Sequence, residues 1–565
     1  MTTAINPGLW LILGGLLAAA LPARIRPAYC VALPIVVLLA VLDLDPGAAG
    51  QVSFLGLELV LVRVDGLARL FGILFCLAAI LVSLFAWSVQ SRLEAAAGLV
   101  YAGSALAAAF AGDLLTLFVF WELTAIGSVL LIWARGTPRS YHSGMRYLTV
   151  QIGSGVLLLA GAVMRLDATG SIAFDQIGLG DTAGLVILLA FGVKAAFPFL
   201  HNWLIDAYPE STPAGTVWLS AFTTKLAIYA LARGFPGTDI LIWIGVAMTC
   251  FPIFYAVIEN DLRRVLAYST INQLGFMVAG IGVGTTLSIN GAVAHAFCDM
   301  IFKAVLFMAM GAVLLRTGTI KASELGGLYK TMPKTAGLCI VGAMSISAFP
   351  LFSGFVSKGM IMAAMVHEGL FVPWLLLLFA SAGVLEHAGI KIPFFAFFAH
   401  DSGRRVQEAP WHMLAAMAIA AALCVGIGVF PGALYALLPH TVDYQAYTME
   451  HVVTQTQLLL FAALGIAWLH RTGRYPQEVP AVNLDFDWIY RRLLPGVIAA
   501  AGRTIAAVDG ALRGGARTAL ARLLRLVHRH HGPAGVLART VSAGSMVFWV
   551  VFMLAGYLIA YEFSQ

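Results

Sequence analysis

GAVAHAFCDMIFKAVLFMAMGAVLL, residues 291–315, is long and apolar enough to cross a bilayer, yet it carries His295, Asp299 and Lys303. A spanning helix needs about 20 mostly apolar residues. The three polar side chains recur at i, i+4 and i+8, which puts them on one helical stripe. An acid between two bases can tune their proton affinities where the dielectric is low. Charge at bilayer depth is costly and usually faces a cavity or a partner. The stretch therefore reads as a membrane helix with a working interior.

The rest of the chain repeats that pattern. Of 565 residues 60% are AVILMFWYC and 11% are charged, where a soluble domain carries about 25% charged residues. The mean hydropathy is +0.89. Apolar runs at 8–22, 28–42, 66–88, 95–111, 113–133, 145–165, 183–203, 213–234, 239–258, 264–284, 288–315, 335–365, 371–398, 410–431, 454–470 and 544–562 make sixteen candidate spans. The expected fold class is an all-α polytopic membrane protein of about 14–16 transmembrane helices.

The connections agree with this count. Those after odd-numbered runs hold Arg24, Arg26, Arg92, Arg135, Arg139, Arg263, Arg264, Lys321, Lys330, Lys334, Arg404 and Arg405. Those after even-numbered runs hold Asp43, Asp45, Asp175, Asp181, Asp443 and Glu450, with Arg63 the clearest exception. By the positive-inside rule the odd connections are cytoplasmic and both termini lie outside. Asp206 and Glu210 in the seventh connection break the pattern. The same topology explains the net charge of +6 without nucleic acid. Residues 484–540 differ: Arg491, Arg492, Arg503, Arg513, Arg517, Arg522, Arg525 and Arg529 alternate with Leu520, Leu523, Leu524 and Val527 at helical spacing. That fits an amphipathic interfacial helix facing lipid headgroups or neighbouring protein.

Six cysteines, Cys30, Cys76, Cys250, Cys298, Cys339 and Cys424, sit in or beside apolar runs without any CxxC. Iron–sulfur and zinc readings lack their usual spacing. No glycine-rich dinucleotide fingerprint follows a strand, and no nucleophile–base pair stands out. The expectation is no metal, no cofactor and no catalytic residue on this chain. The first apolar run lacks a basic leader and a cleavage site, and reads as a retained helix.

Further charges lie at mid-run. Glu122 sits in the fifth run and Lys194 in the seventh, followed by Pro198; Lys225 is central in the eighth. Pro350 and Gly354 precede Lys358 in the twelfth, and Glu386, His387 and Lys391 occupy the thirteenth. Proline removes a backbone hydrogen bond and breaks or kinks a helix, so Pro198, Pro350 and Gly354 mark expected interruptions, a feature of transport sites. Any one such lysine could be a structural ion pair or could snorkel to the interface. For Glu386, His387 and Lys391, near a run's end, that bland alternative weighs as much as the functional one. A series of so many mid-membrane charges fits a proton relay better.

These stretches resemble the proton-conducting antiporter-like membrane subunits. That family includes the complex I L-, M- and N-type subunits, the A-type and D-type subunits of Mrp Na⁺/H⁺ antiporters, and hydrogenase relatives. The resemblance rests on FWEL around Glu122, KAAFPFLHNWLIDAYPEST from Lys194, NDLRRVLAYSTINQLGFM from Asn260, HAFCDMIFKAVLFMAMGAV from His295 and FPLFSGFVSK ending at Lys358. It implies two inverted five-helix repeats, at 95–238 and 239–400. These would be flanked by N-terminal helices (1–94), additional helices (401–475), a basic lateral segment (476–543) and a final helix (544–565). It also implies a relay: Glu122 paired with Lys194, connecting lysines Lys225 and Lys303, and terminal Lys358. Asp299 departs from the family, where histidine or a neutral residue is usual, and STPAGTVWLSAF replaces a PTPVS-like stretch. NLDFDWIYRRLL resembles the tail of L-type subunits, whereas TTKLAIYAL is closer to Mrp D-type and M-type subunits.

The resemblance implies a protein moving H⁺, with Na⁺ left open, among other membrane subunits in the lipid of a bacterial inner membrane. Any enzyme activity would belong to a translocating NADH dehydrogenase assembly. A bicarbonate-uptake or hydrogenase-type complex is the alternative within this class. A stand-alone secondary transporter would need a further ion or solute site. A structural anchor would tolerate neutralisation of the whole series.

Overall fold

The computed structural model describes residues 5–54, 56–89, 91–476, 478–480 and 483–564. The chain divides into two compact units, Met1–Asn483 and Leu484–Gln565.

The first unit is a helical bundle. Helices α1 (Pro7–Ala20), α2 (Arg26–Leu42), α3 (Gly66–Phe85) and α4 (Arg92–Ala109) open it. Then come α5 (Leu114–Trp133), α6 (Pro138–Thr169), α7 (Thr182–Lys194), α8 (Asn202–Ala207), α9 (Pro213–Ala221) and α10 (Thr223–Gly234). They are followed by α11 (Ile240–Ile258), α12 (Leu262–Val283), α13 (Thr286–Thr317), α14 (Pro333–Ile346), α15 (Ser353–His367) and α16 (Phe371–Val384). π-helical turns Leu385–Ile390 and Phe394–Phe398 prolong α16. Two more long helices, Trp411–Val429 and Met449–Arg471, complete the bundle. Among the described residues of the whole chain, eleven helices are by themselves long and apolar enough to cross a membrane. α12 and α13 lie at the centre, nearly every residue buried, as expected of helices apolar all round.

One element escaped the sequence reading. In the connection expected between the second and third runs, β1 (Gly47–Phe54) and β2 (Leu57–Val64) pair antiparallel, with Val64 opposite Gly47. LELVLVRV alternates with period two, and its inward side chains Val62 and Val64 are buried. The hairpin caps the turn into α5: Gly112 N–H donates to the Val60 carbonyl (2.9 Å) and Val60 N–H to Asp113 Oδ2 (2.9 Å).

Two stretches share one register. Asp113 N-caps α5 and bridges Ala173; Asp261 N-caps α12 and bridges Lys321. The helix after each, α6 and α13, has 32 residues and ends on a left-handed glycine, Gly170 or Gly318. Each stretch then reaches a helix interrupted at Ala-Phe-Pro. Ala196 and Phe199 flank the first break at φ 61° and 70°, and Ala348 and Leu351 the second at 60° and 73°. Left-handed backbone is unfavourable for residues with a Cβ, so the surrounding packing holds both breaks in place. The freed groups find partners: Trp203 Nε1 donates to the Val193 carbonyl (2.9 Å), and Phe349 N–H to the Met344 carbonyl (3.1 Å).

Pro198 and Pro350 lie inside these breaks. Gly354 does not; it is the second residue of α15, where a Cβ would fall 1.9 Å from the Ser345 carbonyl oxygen. Its role is close approach of two helix ends. The eighth predicted run is also divided, into α9 and α10 at Phe222.

Asp206 and Glu210, the acids out of pattern, are neutralised locally. Arg146 reaches Asp206 at 2.7 Å and Arg139 reaches Glu210 at 3.0 Å. Arg63, the basic exception, pairs with Asp175 at 2.7 Å.

The second unit comprises a π-helical turn Ile489–Leu493, a 38-residue helix Leu494–His531 and a helix Ala543–Phe563. The long helix spans about 57 Å at ~1.5 Å per residue. It absorbs the predicted basic segment, and Arg513 pairs with Asp509 at 2.9 Å along its face. Residues 475, 476, 478–480 and 483, grouped with the additional helices and the basic segment in the sequence reading, belong to the first unit.

Candidate functional site

Every predicted relay lysine is buried: Lys194, Lys225 and Lys303 are 0% exposed, Lys391 1% and Lys358 3%. Each rests on a backbone carbonyl. Lys225 Nζ donates to Ser220 O (3.1 Å) at the α9/α10 break, and Lys358 Nζ to Ile346 O (3.5 Å) at the end of α14. Lys391 Nζ donates to Val257 O (2.6 Å) at the end of α11. Helix C-termini leave carbonyls without intrahelical donors and carry partial negative charge. The ends of α9, α14 and α11 therefore create ammonium seats for Lys225, Lys358 and Lys391 inside an apolar bundle.

The Glu122 and Lys194 side chains meet around α5. Lys194 Nζ donates to Trp121 O (2.5 Å) and Thr124 Oγ1 (2.7 Å) and lies 4.4 Å from the centroid of the Trp121 ring. It does not bond to Glu122, whose Oε1 has no hydrogen-bond partner. That oxygen occupies the space a side chain at Gly155 would need, since a Cβ there falls 1.4 Å away.

The centre is built on α13. Asp299 Oδ2 lies 2.7 Å from Lys225 Nζ, both side chains 0% exposed. The contact is an ion pair without hydrogen-bond alignment, and neither Asp299 oxygen has an aligned donor. Lys303 Nζ reaches Leu266 O at 3.4 Å. Lys358 adds Ser381 Oγ (3.4 Å) and the face of Phe276 (4.8 Å). Lys225, Lys303 and Lys358 are all within electrostatic reach of His295.

His295 bridges three helices, its Nε2 3.0 Å from Gln273 Oε1 on α12 and its Nδ1 3.0 Å from Ser357 Oγ on α15. Gln273 Nε2 donates to Asn272 Oδ1 (2.7 Å), which leaves Oε1 to accept from the imidazole. Ser357 Oγ also lies 3.1 Å from Ser353 O. The serine proton can turn to Nδ1 of the neutral ring, or to Ser353 O when the ring is protonated and donates at both ends. Both protonation states keep a satisfied network.

The π-helical turns after α16 carry the last group. His387 Nδ1 lies 2.7 Å from Gly383 O and must donate to it; Nε2, buried, has no partner. The ring is within electrostatic reach of Lys303, Lys358 and Lys391. Tyr475 donates to Glu386 Oε1 (2.5 Å), and Glu478 Oε1 lies 2.7 Å from Lys391 Nζ. π-bulges are frequent at functional sites.

Sequence reasoning missed Gln273, Ser357, Thr124, Tyr475 and Glu478. The first three are uncharged polar residues in apolar runs. The last two lie outside any span and become visible only once the chain folds back. Beside Lys358 a cavity of about 450 Å³ opens, lined by Phe355, Trp374 and His451 and bordered by Asp443 and Glu450. Among the described residues no group of His, Cys, Asp and Glu is placed to hold a metal ion.

Comparison with known proteins follows the same stretch of chain. Residues 111–385 match the family described as NADH:quinone oxidoreductase/Mrp antiporter, TM. The chain is 32% identical over 421 residues to the probable A/B-type component of a K⁺/H⁺ antiporter of Rhizobium meliloti, covering 68% of this chain and 42% of that protein. It is 31% identical over 318 residues to the D-type component of the Na⁺/H⁺ antiporter of Alkalihalophilus pseudofirmus, covering 52% and 64%. The chain thus spans less than two thirds of either relative. In fold it is similar to a chain of the Mrp complex from Dietzia sp. DQ12-45-1b, with a TM-score of 0.69, 22% identity and coverage of 81% and 100%. It is also similar to a chain of the membrane-bound sulfane sulfur reductase, an archaeal respiratory complex, with a TM-score of 0.71, 22% identity and coverage of 98% and 99%. With fold, charge series and matches in agreement, this chain is an integral multi-pass membrane protein whose residues 111–385 match the NADH:quinone oxidoreductase/Mrp antiporter transmembrane family.

Proposed function

We propose that the chain is a proton-translocating subunit of a multisubunit cation/proton antiporter or complex I-like assembly. Its path runs through Glu122, Lys194, Lys225, Asp299, Lys303, His295 and Lys358, with His387, Glu386 and Lys391 on a second branch. One observation carries this reading: the central cluster sets three buried lysines and a buried histidine against one carboxylate, Asp299. Burying uncompensated ammonium groups costs several kcal/mol each. A cluster with one counter-charge therefore favours one charged lysine at a time. Groups that must take turns being charged are groups that exchange protons.

The same reading places residues 95–238 and 239–400 as paired half-channels, a division the shared register of α5–α6 and α12–α13 supports. It places the arginine-rich connections in the cytoplasm of a bacterial cell, with both termini outside. Neighbouring subunits determine whether Na⁺ or K⁺ is exchanged or a redox reaction drives the pump.

The test is proton uptake into vesicles holding the assembled complex, with wild type, Lys194→Ala and Glu122→Ala. Loss of uptake with assembly intact is expected. Undiminished uptake in both variants would overturn the relay and leave a scaffold.

A further inference from the structure

The chain leaving the helix Met449–Arg471 does not run free. Tyr475 stacks on His470, ring centroids 4.1 Å apart, and its hydroxyl donates to Glu386 Oε1 at 2.5 Å. Glu478 places Oε1 2.7 Å from Lys391 Nζ, with the two side chains 7% and 0% exposed. Asn483 Nδ2 donates to Glu259 Oε2 (3.3 Å) and to Ile258 O (3.5 Å) at the end of α11. Tyr475, Glu478 and Asn483 thus fasten this part of the chain across the ends of α11 and α16.

Resting on the relay reading, we propose that Glu478 is the terminal proton carrier of the Lys391 branch and that the contacts of Tyr475, Glu478 and Asn483 form a releasable strap that seats it there. The transfer is between its carboxylic acid and the Lys391 amine, giving a carboxylate and an ammonium, and it runs in either direction.

Two features support this. Neither Glu478 oxygen has an aligned hydrogen-bond donor, so the carboxylate retains free acceptor positions. His387, with its unpartnered Nε2, lies within electrostatic reach of Lys391 on one side and of Lys303 and Lys358 on the other, joining the pair to the central cluster.

Protonation is linked to docking. The groups around Glu478 are Lys391, Glu259 (itself 3.8 Å from Arg264), Glu386 and Tyr475. Burial raises the Glu478 carboxyl above its ordinary value, helped by Glu259 and opposed by Lys391. A group whose affinity for protons is higher when docked favours docking while protonated. Docking is therefore strongest below the ordinary glutamate range, about pH 4.3, and weakens as pH rises through the elevated value. Once Lys391 is neutral again, a deprotonated Glu478 has no counter-charge beside it and is released toward water, where it can take another proton.

The experiment compares Glu478→Gln, Glu478→Asp and Glu122→Gln in the assembled complex in vesicles, with proton uptake measured across pH. Glu478→Gln is expected to lower uptake at least about tenfold and to flatten its pH profile; Glu478→Asp is expected to restore uptake with a displaced profile. Uptake and profile at wild-type level in Glu478→Gln, with Glu122→Gln inactive, would overturn the proposal and spare the relay. Full uptake in Glu122→Gln as well would overturn the relay itself. If Glu478→Gln fails to assemble, hydrogen–deuterium exchange of residues 475–480 in the wild-type complex decides. Protection that falls with rising pH supports the strap, and pH-independent protection overturns it.

Discussion

Gly155→Ala tests the position of the Glu122 carboxylate without removing any titratable group. A Cβ on Gly155 would lie 1.4 Å from Glu122 Oε1 and 2.4 Å from Cδ, against ordinary contacts that begin near 3.4 Å. The obstructing atoms are the end of a flexible side chain, so Glu122 moves and the helices do not. Its carboxylate must shift about 2 Å. At an effective dielectric of ~20, drawing two unit charges about 2 Å further apart from a separation on the order of 5 Å, the scale of any close buried pair, loses ~1 kcal/mol of attraction. That is roughly fivefold in any equilibrium that depends on it. Stability changes little: alanine gains up to ~1 kcal/mol over glycine within a helix, which offsets the ~0.5–1.5 kcal/mol of an unfavourable Glu122 rotamer. The assay is proton uptake by the assembled complex alongside its thermal unfolding. Uptake should fall about fivefold at unchanged unfolding temperature. Full uptake in Gly155→Ala, with Glu122→Ala inactive, would refute the claim that the carboxylate's placement matters.

Asp299→Asn should destabilise the complex by about 3–5 kcal/mol, since it strands the Lys225 ammonium in the core; the double change Asp299→Leu with Lys225→Met should recover most of this, and equal unfolding temperatures for single variant and wild type would contradict the ion pair. Ala196→Gly and Ala348→Gly should each raise stability by about 1 kcal/mol by relieving left-handed backbone; no gain in denaturant unfolding would mean the breaks are unstrained. Asp401, outside the spans, is held below the usual carboxylate range by hydrogen bonds from Arg405 and then Lys330. Its fastening of residues 326–330 to 401–405 should therefore persist above the ordinary value and loosen only as pH falls through the depressed one; limited proteolysis showing release near neutral pH would oppose this.

The spans and their charges were legible because lipid imposes a simple code: long apolar helices, with exceptions that must have a reason. Glu122, Lys194, Lys225, His295, Asp299, Lys303 and Lys358 all stand out against that background. The hairpin at 47–64 was not legible, because a run of valines and leucines between helices reads as connection unless alternation is weighed. Gly354 was read as a helix breaker, although its use is contact with Ser345 O. Sequence spacing put His295, Asp299 and Lys303 on one stripe. It could not say that His295 meets Gln273 and Ser357 while Asp299 meets Lys225, because those partners come from other helices. Glu478 carried no signal at all, since its partner Lys391 lies far along the chain.

Lys358 and Lys391 differ in their surroundings in a way that bears on direction. Lys358 borders an open cavity rimmed by Asp443 and Glu450, whereas Lys391 is covered by the strap through Glu478. Both lysines are within electrostatic reach of the one imidazole of His387. Two like charges in one buried cluster repel across it, and Asp299 can balance only one neighbour. In the proposed relay, a proton on Lys358, beside the open cavity, therefore disfavours a second on Lys391, which is uncovered when the strap lifts. The same electrostatics that passes a proton inward keeps the two ends from being loaded together. Alternation between the two sides then needs only a local shift of strap and side chains, and it would be lost if Lys358→Met left the Lys391 branch permanently charged.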